Sequence, residues 1–328
     1  MIWRAVIGGL AMALVVALPA VAGVVAEAGE ESPLARRDRE RRAALAAAGL
    51  ERTTLETGRG QLVYWQGGEG APLVLLHGSG DSAGTFAAVV PQLLGDHRLL
   101  IPDLAGHGDS EPAEGVLPMA TVVAGLESLL EEADLESPVL AGNSMGAWLA
   151  MLYAHKHPGR VSRVVAINGG AILGEPSDIK LMPANRDEAR RSMAAIRDPS
   201  SPPVPDEVLD DIVARANSGP IRRMMMDLAG MMAYLLDGKL GEIATPVDLL
   251  WGESDGLMKL SYAEKMAAGL PRARITRIPQ CGHIPMGECP ERFVRLLREI
   301  LAAEPPAASE EQPMPVADPE PPVREERR

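Results

Sequence analysis

One serine has neighbours that suit nucleophilic catalysis. Ser144 lies in the five residues Gly142-Asn143-Ser144-Met145-Gly146, between an apolar run and a stretch with helical character. Glycines two positions before and after a serine leave room for a sharp turn between a strand and a helix. The helix that follows would direct its N-terminal N–H groups at the reaction centre. The pattern therefore predicts that Ser144 attacks an acyl carbon.

A serine hydroxyl is a poor nucleophile at neutral pH, so it needs a base that an acid in turn orients. Of the six histidines, His283 follows the last strand-like run and precedes the last helical run. Asp255 follows the preceding strand-like run, in LLWGESDGLM. Both positions are expected at the carboxyl edge of a parallel sheet, where such folds build their sites. The sequence thus predicts a triad of Ser144, Asp255 and His283, in the chain order that accompanies this motif.

An acyl-transfer site also needs N–H donors for the negative charge that develops on the substrate oxygen. The backbone N–H of Met145 is one candidate, because it follows the nucleophile. The second candidate is the backbone N–H of Ser79, in the loop after the apolar run PLVLLHG. His77, in the same loop, is interpreted as a structural residue that forms hydrogen bonds.

Strand-like and helical runs alternate along most of the chain, which predicts an α/β fold with a mostly parallel sheet and helices on both faces. The first two strand-like runs, RTTLET and QLVYWQ, are separated by GRG and predict a hairpin. Helices are predicted at residues 84–95, 118–133, 145–157, 260–269 and 290–302.

The alternation stops at about residues 173–244, a segment too long for a plain loop. We interpret it as a helical lid inserted into a single α/β domain that spans residues 51–302. Among its many methionines, Met224 and Met231 are candidates for substrate binding, because methionine suits adaptable apolar pockets. The alternative is that these side chains simply pack the lid against the sheet.

Five motifs together resemble the α/β-hydrolase superfamily, in its lid-bearing esterase and C–C hydrolase branch. They are LLHGSG, IPDLAGHGDS, GNSMGAW, LLWGESD and GHIPMGECPERF, and the similarity runs from Thr53 to Leu301. The resemblance implies the α/β-hydrolase fold, a cofactor-free ester hydrolase and a structural role for Asp103 in a turn near the site. A C–C bond hydrolase or a haloperoxidase-type enzyme on the same triad is the alternative, and a non-catalytic binding protein is a third.

The ends of the chain differ in composition from the domain. Residues 1–26 contain Arg4 followed by an apolar run from Ala5 to Ala26, which predicts either a cleaved signal peptide ending near Ala20-Val21-Ala22 or a retained membrane anchor. Both alternatives place the rest of the chain outside the cytoplasm, either anchored to the membrane or periplasmic or secreted. Residues 27–50 are charged and rich in alanine and predict a helical spacer. Residues 303–328 are rich in Pro and Glu and predict a disordered tail.

Charge and cysteine content limit the partners. A net charge of −13 argues against general nucleic-acid binding, and the predicted triad makes a small-molecule substrate the expected partner. Membrane contact is expected only through an uncleaved N-terminal segment. No Cys/His cluster has the spacing of a zinc site, so no metal is predicted. Cys281 and Cys289 are expected to be free buried thiols, with a disulfide across His283 as the alternative.

Overall fold

The computed structural model describes residues 31–175 and 177–308. The predicted signal peptide or anchor at residues 1–26 lies outside these ranges, as does most of the predicted tail. In the part of the chain that the structure describes, no helix combines the length and apolar character needed to cross a membrane.

An eight-stranded sheet runs through the described residues in the order β1-β2-β4-β3-β5-β6-β7-β8. β1 and β2 form the predicted antiparallel hairpin, β2 is antiparallel to β4, and the remaining pairs are parallel. The strands are β1 (Glu51–Thr57), β2 (Gly60–Gly67), β3 (Ala71–Leu76), β4 (His97–Pro102), β5 (Val139–Asn143), β6 (Arg163–Ile167), β7 (Val247–Gly252) and β8 (Ala273–Ile278). This sheet confirms the predicted fold class.

Helices precede, connect and follow the strands. They are α1 (Pro33–Ala47), α2 (Val90–Leu93), α3 (Met119–Glu132), α4 (Met145–Lys156), α5 (Arg186–Ala195), α6 (Asp206–Ala216), α7 (Pro220–Met225), α8 (Leu228–Met232), α9 (Leu260–Gly269), α10 (Pro285–Glu288) and α11 (Pro290–Ala302). The helix predicted at 84–95 is instead a 3₁₀ turn, Ala83–Phe86, followed by the single turn α2. Pro91 lies in the first turn of α2, where its missing N–H is tolerated, whereas it would interrupt a longer helix.

Both faces of the sheet are covered, which explains the continuous apolar runs of the parallel strands. Because successive side chains of a strand point to opposite faces, Leu73 and Leu75 of β3 belong to one core and Val74 and Leu76 to the other. Helices α3, α4 and α9 cover the second face, and α1, α2 and α11 cover the first.

Helix α1 packs on the domain, whereas the charged composition of residues 27–50 predicted a spacer. Leu45 is fully buried in the same core as Phe86. Asp38 accepts a hydrogen bond from Ser82 Oγ at 2.6 Å, and Arg42 lies 3.4 Å from the buried carboxylate of Asp103. The polar side chains of α1 therefore have specific partners on the domain, and these partners lie far away in the sequence.

The chain between β6 and β7 contains α5, α6, α7 and α8, so a helical insertion occupies the segment predicted as a lid. At the other end, the first residues of the predicted tail are attached to the domain. Arg163 Nη2 donates to the carbonyl of Ala303 at 2.8 Å, and Arg272 Nε donates to that of Pro306 at 2.9 Å. The prediction of disorder is therefore wrong for residues 303–306.

Candidate active site

Ser144 sits at the turn between β5 and α4 in a backbone conformation that L-residues rarely adopt, with φ of 54° and ψ of −115°. The two motif glycines make this turn possible. A Cβ on Gly142 would lie 2.2 Å from the carbonyl carbon of Gly146, and one on Gly146 would lie 2.3 Å from the carbonyl oxygen of Leu76. Strained backbone of this kind is concentrated at functional sites. Here the strained turn places Ser144 at the carboxyl edge of the sheet.

His283 and Asp255 lie on the loops that follow β8 and β7, and their side chains are in contact. The Nδ1 of His283 is 2.6 Å from Oδ2 of Asp255, and both residues are buried, at 5% and 4% exposure. The other carboxylate oxygen of Asp255 accepts the backbone N–H groups of Leu257 and Met258 at 2.9 and 3.0 Å. These contacts fix an imidazole with Nδ1–H toward the carboxylate, which leaves Nε2 available as a base.

Asn143 links the serine turn to the histidine loop. Its Nδ2 donates to the backbone carbonyl of His283 at 2.8 Å and to that of Ile167 at 3.1 Å. Because Asn143 is the residue before Ser144, this pair of hydrogen bonds keeps the loop of His283 beside the strained turn. The structure thus brings the three residues predicted as a triad to one edge of the sheet.

Asn168 is a site residue that the sequence analysis missed. It directly follows β6, has φ of 45°, and is fully buried. Its Nδ2 donates to Asp255 Oδ2 at 2.8 Å, and its Oδ1 accepts the N–H of Gly252 at 2.9 Å. An asparagine at a strand end tolerates this left-handed conformation. Its position directly after the apolar run VVAI was the signal that could have identified it.

The two residues predicted to supply the oxyanion donors, Ser79 and Met145, lie in the loop after β3 and at the start of α4. Met145 is the first residue of α4, so its N–H belongs to the helix turn whose N–H groups have no partner within the helix. Ser79 lies against it, with Oγ 3.2 Å from Met145 Sδ. A Cβ on the neighbouring Gly78 would lie 3.1 Å from Cβ of Ser144. The loop after β3 therefore closes around the serine.

Two buried residues near this loop have structural contacts that match their interpretation from the sequence. His77 Nε2 accepts the N–H of Leu104 at 2.9 Å while Nδ1 contacts the Gly78 carbonyl at 2.8 Å, so both ring nitrogens are engaged. Asp103 accepts the N–H groups of Ala83 at 2.7 Å and Asp109 at 2.9 Å. Asp103 thereby ties its own turn to the segment that follows the loop of Ser79.

The two methionines predicted to bind substrate lie in the helical insertion. Met224 is 3% exposed and belongs to the main core, which favours the packing alternative for this residue. Met231 is partly buried at the edge of the same core. Ile221, from the same insertion, packs against the loop after β3, because its Cδ1 would lie 3.1 Å from a Cβ on Gly80.

Cys281 and Cys289 form a disulfide, so the expectation of two free thiols is wrong. They are eight positions apart in sequence, and their Cα atoms are 6.1 Å apart. The short helix α10 bends the chain back after His283 and brings the second cysteine to the first. The disulfide therefore closes a small loop that contains His283.

A mostly parallel sheet with a serine on a strained strand–helix turn, and a His–Asp pair on neighbouring strand ends, defines the α/β-hydrolase architecture. A model of the alpha/beta hydrolase family matches residues 73–296, and the chain belongs to this family. The resemblance drawn from its motifs is thereby confirmed.

Known proteins similar to the chain include a hydrolase and an esterase. A 2-hydroxy-6-oxononadienedioate/2-hydroxy-6-oxononatrienedioate hydrolase of Paraburkholderia xenovorans is 29% identical over 75% of this chain and 92% of its own length. A pimeloyl-[acyl-carrier protein] methyl ester esterase of Aromatoleum aromaticum is 29% identical over 70% of this chain and 97% of its own length. A bacterial membrane phospholipase A structure superposes with a TM-score of 0.70 at 24% identity, over 82% of this chain and 91% of that one, and shares the fold.

Proposed function

We propose that the chain is a serine hydrolase that cleaves a carboxylic ester, or a similar acyl bond, of a small apolar substrate. The observation that carries the proposal is the 2.6 Å contact between His283 Nδ1 and Asp255 Oδ2. A hydrogen bond from Asn143 to the backbone of His283 holds the histidine loop beside the turn of Ser144. The similarity to a methyl ester esterase supports the same bond type.

In the proposed acylation step, Ser144 Oγ attacks the acyl carbon while His283 Nε2 accepts the hydroxyl proton. Asp255 holds the imidazole in the required tautomer and stabilises the imidazolium. The backbone N–H groups of Ser79 and Met145 bind the oxyanion of the tetrahedral intermediate. The alcohol then leaves with the proton from His283, and an acyl-enzyme remains on Ser144.

In the deacylation step, water takes the place of the alcohol. His283 accepts a proton from this water, which attacks the acyl carbon, and the same proton returns to Ser144 Oγ as the acid is released. The helical insertion is proposed to act as the lid of the acyl pocket, because Ile221 packs on the loop that carries Ser79. Met231 remains a candidate for contact with the acyl chain.

C–C bond hydrolysis on the same triad is the second candidate. It is supported by the relative from Paraburkholderia xenovorans, which bears the name of a hydroxy-oxo-dienedioate hydrolase. A comparison of turnover on p-nitrophenyl esters of graded chain length with turnover on a 2-hydroxy-6-oxo-dienoate distinguishes the two. Faster turnover of the dienoate would favour the second candidate over the first.

The triad is tested by labelling purified protein with a fluorophosphonate probe, which reacts only with an activated serine. We expect Ser144→Ala to abolish labelling and to lower ester turnover by roughly 10³-fold or more, because the residues of a triad act as a unit. The substitution should leave the fold intact.

The matched control is Ser218→Ala, at an exposed serine of the helical insertion. This variant should be labelled and turn over esters like the wild type. A folded Ser144→Ala protein with near-normal turnover would overturn the proposal, and so would a folded wild type that neither reacts with the probe nor hydrolyses esters.

We also propose that the chain is exported, as a membrane-anchored or a periplasmic or secreted protein. Residues 1–26 support this through their apolar composition. The Cys281–Cys289 disulfide supports it as well, because disulfides persist in oxidising compartments.

A further inference from the structure

The helical insertion contacts the loops of both the acid and the base of the candidate triad. Its contact segment comprises residues 195–201, at and beyond the end of α5. The carbonyl of Ala195 accepts the N–H of Gly256, and the carbonyl of Ile196 accepts the N–H of His283, both at 2.8 Å. Gly256 directly follows Asp255, so one short segment is bonded to the backbone of His283 and to that of the residue after Asp255.

Two carboxylates complete this junction. Glu288 Oε2 accepts the N–H of Gly282 at 2.6 Å, and its Oε1 accepts the N–H of Asp198 at 2.7 Å. Asp198 in turn accepts a hydrogen bond from Ser254 Oγ. Hydrogen bonds from Ser200 and Ser254 hold the pKa of Asp198 below its usual range, so this carboxylate is charged at neutral pH.

The bonded residues are immediate neighbours of the triad residues. Gly282 precedes His283, and Ser254 precedes Asp255, so a shift at either bond moves the catalytic side chain next to it. The approach is close, because a Cβ on Gly282 would lie 2.3 Å from the carbonyl oxygen of Ile196. Glu288 itself lies inside the loop that the disulfide closes.

We propose that Glu288 and Asp198 are positioning residues that fix His283 and Asp255 relative to the helical insertion. The inference rests on the proposed function. In this proposal, the geometry of the His283–Asp255 pair depends on the hydrogen bonds between the contact segment and the two loops. The insertion therefore orients the triad in addition to its proposed role as a lid. A misplacement of about 1 Å can lower a catalytic rate by about 100-fold, which makes such support measurable.

The test compares Glu288→Gln with Glu291→Gln in the full chain. Glutamine has nearly the shape of glutamate, but its amide nitrogen cannot accept an N–H, so one of the two backbone bonds is lost. Glu291 is exposed and only three positions away, so its variant controls for the change in charge. We expect kcat to fall about ten-fold or more in Glu288→Gln with KM within about two-fold, and both to be unchanged in Glu291→Gln.

A second readout does not depend on turnover. The proton between His283 Nδ1 and Asp255 gives a low-field NMR resonance, which should shift or broaden in Glu288→Gln and remain in Glu291→Gln. This separates the two proposals. A wild type that fails to react with fluorophosphonate but whose resonance changes in Glu288→Gln contradicts the proposed function and supports the positioning role.

If Glu288→Gln does not fold, Ser254→Ala takes its place, because it removes the donor to Asp198 from the opposite side of the junction at little cost in volume. The same fall in kcat and the same spectral change are expected. A folded Glu288→Gln or Ser254→Ala protein with wild-type kcat and an unchanged resonance would overturn the inference.

Discussion

Asn168 shows how much of the site depends on one side chain outside the triad. It donates to the same Asp255 oxygen that contacts His283, and it accepts the N–H of Gly252. Its left-handed backbone, with φ of 45°, is a conformation that asparagine and glycine adopt more readily than other residues. Side chain and backbone therefore make separate contributions at this position, and two variants can separate them.

Asn168→Gly should lower kcat about ten-fold, because a hydrogen bond to a charged carboxylate contributes roughly 1.5–3 kcal/mol. Asn168→Ala should lower kcat by the same factor. It should also lower the free energy of unfolding by about 1 kcal/mol relative to the glycine variant, because alanine is strained at positive φ. Steady-state kinetics and urea unfolding of both variants measure the two effects. Wild-type kcat in the glycine variant would show that Asp255 is held well enough by its other partners.

His107 is a buried histidine that the candidate mechanism does not use. It is 1% exposed, and its Nδ1 lies 3.1 Å from the carbonyl of Ala105. Burial, with a smaller contribution from the neighbouring His77, lowers the pKa of His107 to about 3. In the unfolded chain the pKa returns to about 6.5. Between these values the unfolded state binds more protons, so the free energy of unfolding falls as the pH falls through this window.

We therefore expect the titration of His107 to reduce the free energy of unfolding by about 2 kcal/mol at pH 5 relative to pH 7.5. This value follows from about 1.36 kcal/mol for each pH unit below the pKa of the unfolded chain. The measurement is urea unfolding at both pH values for the wild type and for His107→Gln. The variant should lose less stability on acidification. An identical loss in both proteins would mean that other groups account for the acid sensitivity.

At the level of elements, α1 lies outside the segment that matches the family model, yet it belongs to the packed domain. Its buried Leu45 contributes to the core beneath the sheet, and its Asp38 bonds to Ser82, close to the loop of Ser79. The helix therefore stabilises the segment that follows one of the two predicted oxyanion donors.

Leu45→Ala should lower the free energy of unfolding by about 2–4 kcal/mol, because it leaves a cavity in a filled core. The matched control on the same helix is Arg39→Ala. Arg39 is 62% exposed, and its ion pair among the described residues is with the exposed Glu31, so its loss should leave the free energy of unfolding nearly unchanged. Equal stability of the two variants in urea unfolding would show that α1 is not anchored through Leu45.

Considered as a whole molecule, the chain combines an apolar N-terminal segment with a disulfide in the histidine loop. If it is exported, the chain isolated from the native envelope or culture medium should contain no free thiol. Mass spectrometry after alkylation should then show no added groups without reductant and two after reduction. The N-terminal residue of the isolated protein distinguishes a cleaved signal peptide from a retained membrane anchor, since cleavage after Ala22 gives a chain that begins at Gly23. Two free thiols in native protein would contradict the prediction.

The elements and residues that the sequence predicted well are those specified by local patterns. The glycine spacing around Ser144 follows from the crowding at Gly142 and Gly146, where any side chain would collide with backbone. The apolar run of β3 follows from a strand that is buried on both faces. Patterns of this kind lie within a few residues, so they can be read without knowledge of the fold.

Two failures of sequence-based reasoning, at α1 and at Asn168, concern partners far apart in the chain. The charge pattern of α1 predicts a spacer, but Asp38 of α1 bonds to Ser82, 44 positions away, and Asn168 bonds to Asp255, 87 positions away. The pairing of Cys281 with Cys289 depended on how α10 turns the chain after His283. Composition alone does not say which side chains the folded chain brings together.

By itself, the sequence determined the chain order of the three candidate triad residues and the edge of the sheet at which they lie. Strand ends and a strained strand–helix turn are recognisable from the types of neighbouring residues. Only the tertiary structure decided what orients Ser144, Asp255 and His283: the amide of Asn143, the amide of Asn168 and the carboxylates at residues 198 and 288. The physical reason is that a hydrogen bond requires two groups within about 3 Å. That distance is set by the packing of the whole sheet and its helices, and not by the neighbours of either group in the chain.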